Sequence, residues 1–250
     1  MAGSTETVER EGFGATERRD AWWLQPLAVA VGLGLFGLYS TWAALQGQNY
    51  YAEPYLSPFY SPLILVNWWP FSPAILILWA PLGFRATCYY YRKAYYRAYF
   101  LDPPACAVGE FKGRKYRGEM TFPFILQNLH RYFLYLALVV LAFLWYDTVE
   151  AFFFPEGFNV GVGTLILLAN VVLLSFYTFS CHSLRYLVGG NIDCFSCITF
   201  GKGRQKVWNR VSALNRHHML WAWTSLFMVG FSDFYVRMVA SGIIQDVRFF

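Results

Sequence analysis

The stretch PLAVAVGLGLFGLYSTWAALQ, residues 26–46, contains no Asp, Glu, Lys, Arg or His. It is roughly 20 mostly apolar residues, which as a helix cross the ~30 Å hydrocarbon core of a bilayer. A helix on a soluble domain would keep a charged face, and this one has none. Gly32, Gly34 and Gly37 give it a small-residue stripe where a second helix can approach closely. This stretch decides the fold class: an all-α integral membrane bundle.

The rest of the chain agrees. Of 250 residues, 57% are hydrophobic and 14% charged, against roughly 25% charged in a soluble domain. Aromatic residues reach 21%, as expected where rings with a polar tip settle at the headgroup layer. The net charge of +5 reads as positive-inside loops. No soluble basic module accompanies it, so nucleic-acid binding is excluded.

Four further spans are expected, at about 72–97, 123–147, 160–187 and 211–240. The second opens at Ser72-Pro73 and loses its apolar character near Gly83. Arg85 is therefore expected to snorkel, while the helix continues through the tyrosines to Arg97. Residues 1–22 form a polar cytoplasmic tail without a basic n-region before an apolar core, so no cleavable signal is expected. Residues 23–250 form one transmembrane domain. Lys112, Arg114, Lys115 and Arg117 mark one cytoplasmic loop, and Lys202, Arg204, Lys206 and Arg210 another. Outside the tail, these loops and the adjoining helix ends, only Arg237 and Arg248 remain. The bias places the N-terminus in the cytoplasm and the C-terminus outside, in a multi-pass protein of the plasma membrane. No internal repeat stands out, which disfavours a repeat-built transporter.

The histidines, His130, His182, His217 and His218, all fall near cytoplasmic helix ends, with Cys181, Cys194 and Cys197 at similar depth. Polar groups at that depth are expensive and usually functional. Beside basic loops the cysteines face a reducing compartment, so metal binding is expected over disulfides. Cys194 and Cys197 form a CxxC that lets two thiolates reach one metal. The loop carrying them joins Cys181-His182, closing span four, to His217-His218, opening span five. Two sulfurs and two imidazoles match a Rieske-type [2Fe-2S] cluster, although the usual Rieske spacing is absent. A structural zinc site and a haem b held by His130 with His182 or His218 remain open alternatives. Gln127, His130, Arg131 and Tyr132 crowd the start of span three, with Trp221 as an aromatic wall. They read either as interfacial anchoring or as a quinone pocket. Asp233 and Arg237 read as a local i, i+4 ion pair.

Three stretches carry a family resemblance: LQNLHRY at 126–132, SCHSLRYLVGG at 180–190, and LNRHHM at 214–219 with SDFY at 232–235. Together they resemble the single-chain membrane anchor of actinobacterial-type succinate dehydrogenase, respiratory complex II. The resemblance implies flavoprotein and iron–sulfur subunits as partners, menaquinone or ubiquinone as electron acceptor, and either a Rieske-type cluster or haem b. It leaves a trimer of the whole complex open. It also implies a second Cys and His in the SCHS stretch, where this chain has Leu184 and Tyr186. Cys194 and Cys197 are expected to replace them, giving a ligand set of His182, His218 and two of Cys181, Cys194 and Cys197. The rival readings are a channel or transporter, and a scaffold with structural zinc. Reporter fusions at Met1 and Phe250 are expected to read cytoplasmic and external; the same side for both would contradict an odd number of crossings.

Overall fold

The structure, a computed structural model, describes residues 12–110, 120–122 and 124–249. Lys112, Arg114, Lys115 and Arg117, and the Pro123 start expected for span three, lie outside the described residues. Helices dominate: α1 (Leu24–Gln46), α2 (Ile75–Ala86), α3 (Tyr89–Tyr95), α4 (His130–Glu150), α5 (Val162–Phe179), α6 (His182–Arg185), α7 (Gly201–Asn215) and α8 (His218–Ala240). Three of them are long and apolar enough to cross a membrane: α1, α4 with its lead-in turn, and α5. Helix α8 matches α1 in length but carries polar residues inward.

The expected all-α fold has one small addition, two antiparallel hairpins of two-residue strands. Strand β1 (Tyr51–Ala52) pairs with β2 (Tyr55–Leu56), and β3 (Phe153–Phe154) with β4 (Gly157–Phe158). Gly157 sits at φ +118°, a conformation that glycine adopts without a Cβ clash. Both hairpins lie at one end of the bundle. At the other end, two helices break, and that end carries most of the polar chemistry. Helices α1, α4 and α8 run from the break end to the hairpin end, and α2–α3 and α5–α6 return. Tyr99 after α3 accordingly bonds the Ala30 carbonyl near the start of α1, and Gln48 after α1 meets Arg237 near the end of α8.

Three spans differ from their sequence-based boundaries. The second is broken: Cys88 takes up extended backbone between α2 and α3, and α3 ends in a π turn at Tyr96–Phe100. The fourth breaks in the same way, with Cys181 extended between α5 and α6 and a π turn at Tyr186–Gly190. The fifth is preceded by a separate helix, α7, in what the sequence suggested was loop. The chain turns at Arg216–His217 before α8 begins. Single π turns are frequent at functional sites. Periodicity could not reveal these breaks, because no Pro or Gly stands at either one.

Packing follows the small residues. A Cβ on Gly83 would come within 2.1 Å of the Phe133 ring, so Gly83 sets how closely α2 approaches α4. Gly163 gives Tyr55 the same access to α5. Helix α5 packs along α8, and α2 and α5 flank α4. Arg85 does not snorkel. It turns into the bundle, donating to Tyr91 Oη at 2.5 Å, the Ala222 carbonyl at 3.2 Å and Ser225 Oγ at 3.0 Å. It also lies over the Tyr177 ring, at 4.5 Å. A bilayer offers no water to these partners, so they favour the inward rotamer.

The ion pair expected at Asp233 and Arg237 is present and buried. Arg237 Nε donates to Asp233 Oδ2 at 2.7 Å, with side chains 4% and 0% exposed. Tyr39 and Ser57 also donate to that carboxylate. The guanidinium continues to the Ala43 carbonyl at 2.8 Å and to the Gln48 carbonyl at 3.0 Å. Tyr60 Oη donates to the Ala43 carbonyl as well, at 3.0 Å. The pair thus satisfies one of the carbonyls orphaned where α1 ends, and ties α1, α8 and the loop between α1 and α2 together. Replacing Asp233 with Ala strands the guanidinium and is expected to destabilise the fold by roughly 3–5 kcal/mol, read as a lowered unfolding midpoint in detergent. Asp233→Asn keeps one of the two acceptor oxygens that Tyr39 and Ser57 use and is expected to lose less than Asp233→Ala; equal midpoints for Asp233→Ala and the parent would contradict this role.

Candidate functional site

The two helix breaks face each other and share a sequence pattern. Thr87-Cys88 is followed by Arg92, and Ser180-Cys181 by Arg185: a hydroxyl residue, a cysteine, three residues and an arginine, twice. This is an internal repeat too short for a hydropathy pass to register. Each break also sits opposite a helix start that carries a histidine, His130 at the first residue of α4 and His218 at the first residue of α8.

The contacts cross between the two breaks. His130 lies 3.0 Å by Nδ1 from Thr87 Oγ1 and 3.2 Å by Nε2 from Cys181 Sγ. His218 lies 2.7 Å by Nδ1 from Ser180 Oγ and 3.4 Å by Nε2 from Cys88 Sγ. Aromatic rings continue the pattern. His130 stacks on Phe84 at 4.8 Å, Phe84 meets Tyr177 at 5.4 Å, and Tyr177 stacks on His218 at 5.2 Å. Cys88, Cys181, Phe84 and Tyr177 belong to one buried cluster with Tyr91, Leu134, Ala222 and Leu226. The fully buried Tyr177 hydroxyl stands within hydrogen-bonding reach of the Cys88 thiol and meets no other partner among the described residues.

Among the described residues, no three His, Cys, Asp or Glu side chains gather closely enough to hold one metal ion. The four donors fall into two Cys/His pairs.

The sequence-based ligand set is met only in part. Cys181 and His218 stand in the buried layer. His182 opens α6 on an exposed face. Cys194 and Cys197 are joined to each other as a disulfide on the loop before α7, where the ring of Phe195 packs near Gly189 and Trp208. This corrects the expectation that they stay reduced and ligate a metal: the CxxC spacing that brings two thiolates to one metal also brings them to each other. Cys88 was overlooked, and His130 was read as a quinone or haem residue and not as a neighbour of Cys181. The signal that could have found Cys88 is the repeated hydroxyl–Cys pair.

The expected quinone residues do not share one pocket. Gln127 donates to Tyr95 Oη at 3.2 Å, and its Oε1 is buried without a partner. Arg131 is exposed and lies 5.6 Å from the Tyr132 ring, and Tyr132 is 58% exposed on the bundle surface. Trp221 packs on Phe176 at 4.8 Å, with its indole N–H buried and unpartnered. An apolar cavity of about 410 Å³ runs from Phe84, Arg85 and Tyr177 towards Leu45 and Phe59 at the hairpin end.

At the outer rim of the break end, the segment before α1 pairs with the segment after α3. Gly14 N–H donates to the Gly109 carbonyl, Gly109 N–H to the Ala15 carbonyl, and Arg18 to the Cys106 carbonyl. Arg18 also pairs with Asp20, and that hydrogen bond holds the Asp20 carboxyl below the ordinary carboxylate range.

Residues 24–242 match the model of a family described as "Actinobacterial succinate dehydrogenase subunit SdhC". Among solved structures, a chain of the Mycobacterium smegmatis Sdh1 complex in the apo form is 43% identical and superposes with a TM-score of 0.84. The match covers 94% of each chain. No curated protein matches.

Proposed function

We propose, since the chain belongs to the actinobacterial succinate dehydrogenase SdhC family, that it carries electrons from the enzyme's soluble subunits to membrane quinone through a [2Fe-2S] cluster held by Cys88, Cys181, His130 and His218. The chain is a membrane subunit of succinate dehydrogenase, and the other subunits of that enzyme are its partners. The finer reading gives it five crossings in the plasma membrane, with the break end and N-terminus cytoplasmic, so that the donor layer lies towards the soluble subunits. Helix α7 offers Lys202, Lys206 and Arg210 as a basic face for docking them, while Arg204 turns back to the Leu187 and Val188 carbonyls.

The observation that carries the cluster reading is the crossed arrangement of two thiols and two imidazoles around two helix breaks. Softness and number both fit: cysteine with histidine is the Rieske donor chemistry, and histidine raises the potential towards that of a quinone. The Tyr177 hydroxyl, whose one neighbouring partner among the described residues is the Cys88 thiol, supplies a donor to a sulfur ligand. Phe84 and Tyr177 exclude water from the layer. Among the described residues no carboxylate pairs with Arg85, which places a positive charge at the edge of this layer. Bound there, the cluster would supply one-electron transfer. Quinone is met beside this layer, where Gln127 and Trp221 keep unpaired polar atoms and the apolar cavity offers room for a tail.

The test uses the whole purified complex. Cys88→Ser, Cys181→Ser, His130→Ala and His218→Ala are each expected to abolish quinone reduction, leaving succinate oxidation by an artificial dye largely intact. His182→Ala, Cys194→Ser and Cys197→Ser are expected to leave both activities within about twofold, since none of the three side chains contacts the four donors. Loss of quinone reduction in the second group with retention in the first would restore the sequence-based ligand set. A Soret band from the membrane subunit would favour haem.

A further inference from the structure

Two hydroxyls stand at equivalent points of the donor layer, each one residue before a cysteine. Thr87 Oγ1 donates to the Gly83 carbonyl at 2.6 Å, and Ser180 Oγ donates to the Tyr177 carbonyl at 2.9 Å. A hydroxyl has one proton, and both are thereby committed to backbone oxygens. Towards a histidine these oxygens can only accept. His130 Nδ1, 3.0 Å from Thr87 Oγ1, and His218 Nδ1, 2.7 Å from Ser180 Oγ, must therefore each carry the ring proton. The lone pair of each neutral ring is then on Nε2, the atom that faces Cys181 in one case and Cys88 in the other.

We propose that Thr87 and Ser180 are the positioning residues of this centre: paired hydroxyls that hold both imidazoles as Nδ1–H tautomers and commit Nε2 as the metal-binding atom. The inference rests on the cluster reading above. Back-bonding of Ser or Thr to a carbonyl three or four residues earlier is common near helix ends. It does not account for the second lone pair of each hydroxyl meeting a histidine, twice, on opposite breaks. Two consequences follow. An acceptor on the far side of a ligand ring makes that ring a stronger donor and fixes its orientation. It also occupies the outer N–H of each ring inside the protein, so neither ring can offer that proton to a quinone. The layer passes electrons alone, and the protons of quinone reduction come from other groups.

The decisive measurement leaves the chain unaltered. The whole complex is prepared with histidine labelled with ¹⁵N at δ1 only, and pulsed EPR is recorded on the reduced cluster. The strongly coupled nitrogens are expected to remain ¹⁴N; strong coupling from ¹⁵N would overturn the proposal. Variants add a second readout. Thr87→Val and Ser180→Ala are expected to raise the midpoint potential of the cluster and to weaken metal retention by about 10–100-fold. Thr87→Ser and Ser180→Thr are expected to restore both. An unchanged potential in the Val and Ala variants would overturn the proposal. If those variants do not assemble, the isotope measurement decides alone. A parent complex without any nitrogen-coupled cluster signal would overturn the cluster reading itself, and this inference with it, whereas a cluster coordinated through Nδ1 would remove only this inference.

Discussion

Two helices break inside an apolar bundle, and a bilayer supplies no water to the polar groups that a break releases. Each freed group must be satisfied within the protein. The Ala86 carbonyl accepts from Tyr95 Oη at 3.2 Å, and the Ser180 carbonyl from Asn215 Nδ2 at 2.7 Å. The Cys88 and Cys181 carbonyls are taken by the backbone of Arg92 and Arg185 as α3 and α6 begin. With the backbone satisfied locally, the side chains of Thr87, Cys88, Ser180 and Cys181 are free to face the start of the opposite helices. The donor layer follows from where the breaks fall, and the breaks are tolerated because the surrounding tyrosines and Asn215 complete them.

The same constraint organises the hairpin end. A charged pair in the middle of a membrane protein is costly unless every lone pair and proton is used. Asp233 and Arg237 meet that condition by serving Tyr39, Ser57 and two carbonyls around the end of α1. The bundle is therefore pinned at both ends by polar networks. Between them it is held by close contacts such as Gly83 against Phe133.

Much of this was legible in the sequence. The uncharged run at 26–46 declared a membrane bundle, and Asp233 with Arg237 showed the spacing of a pair. The depth of the histidines pointed to one polar layer. What escaped the sequence was position within that layer. Histidine pairing was read from chain proximity, which favoured His182 beside Cys181 and the nearby CxxC. The structure instead turns His182 outward, because the break at Cys181 resets the helix phase, and brings His130 across from another helix. Cys88 escaped because its neighbours are tyrosines that read as interfacial aromatics. Neither break announces itself, since the residues at them are small or polar but not helix-breaking.

Family membership and geometry bear on different parts of the account. The match over residues 24–242 gives the enzyme and its partners. The crossed pairs give the chemistry proposed for this subunit, and that chemistry has a position in space. X-ray diffraction from the intact complex at the iron absorption edge tests it most directly. The account requires an anomalous peak inside this chain, resolved as two irons at high resolution, between the break at Thr87–Cys88 and the break at Ser180–Cys181 and flanked by His130 and His218. An empty layer there, or iron beside His182 and the loop of Cys194 and Cys197, would contradict it.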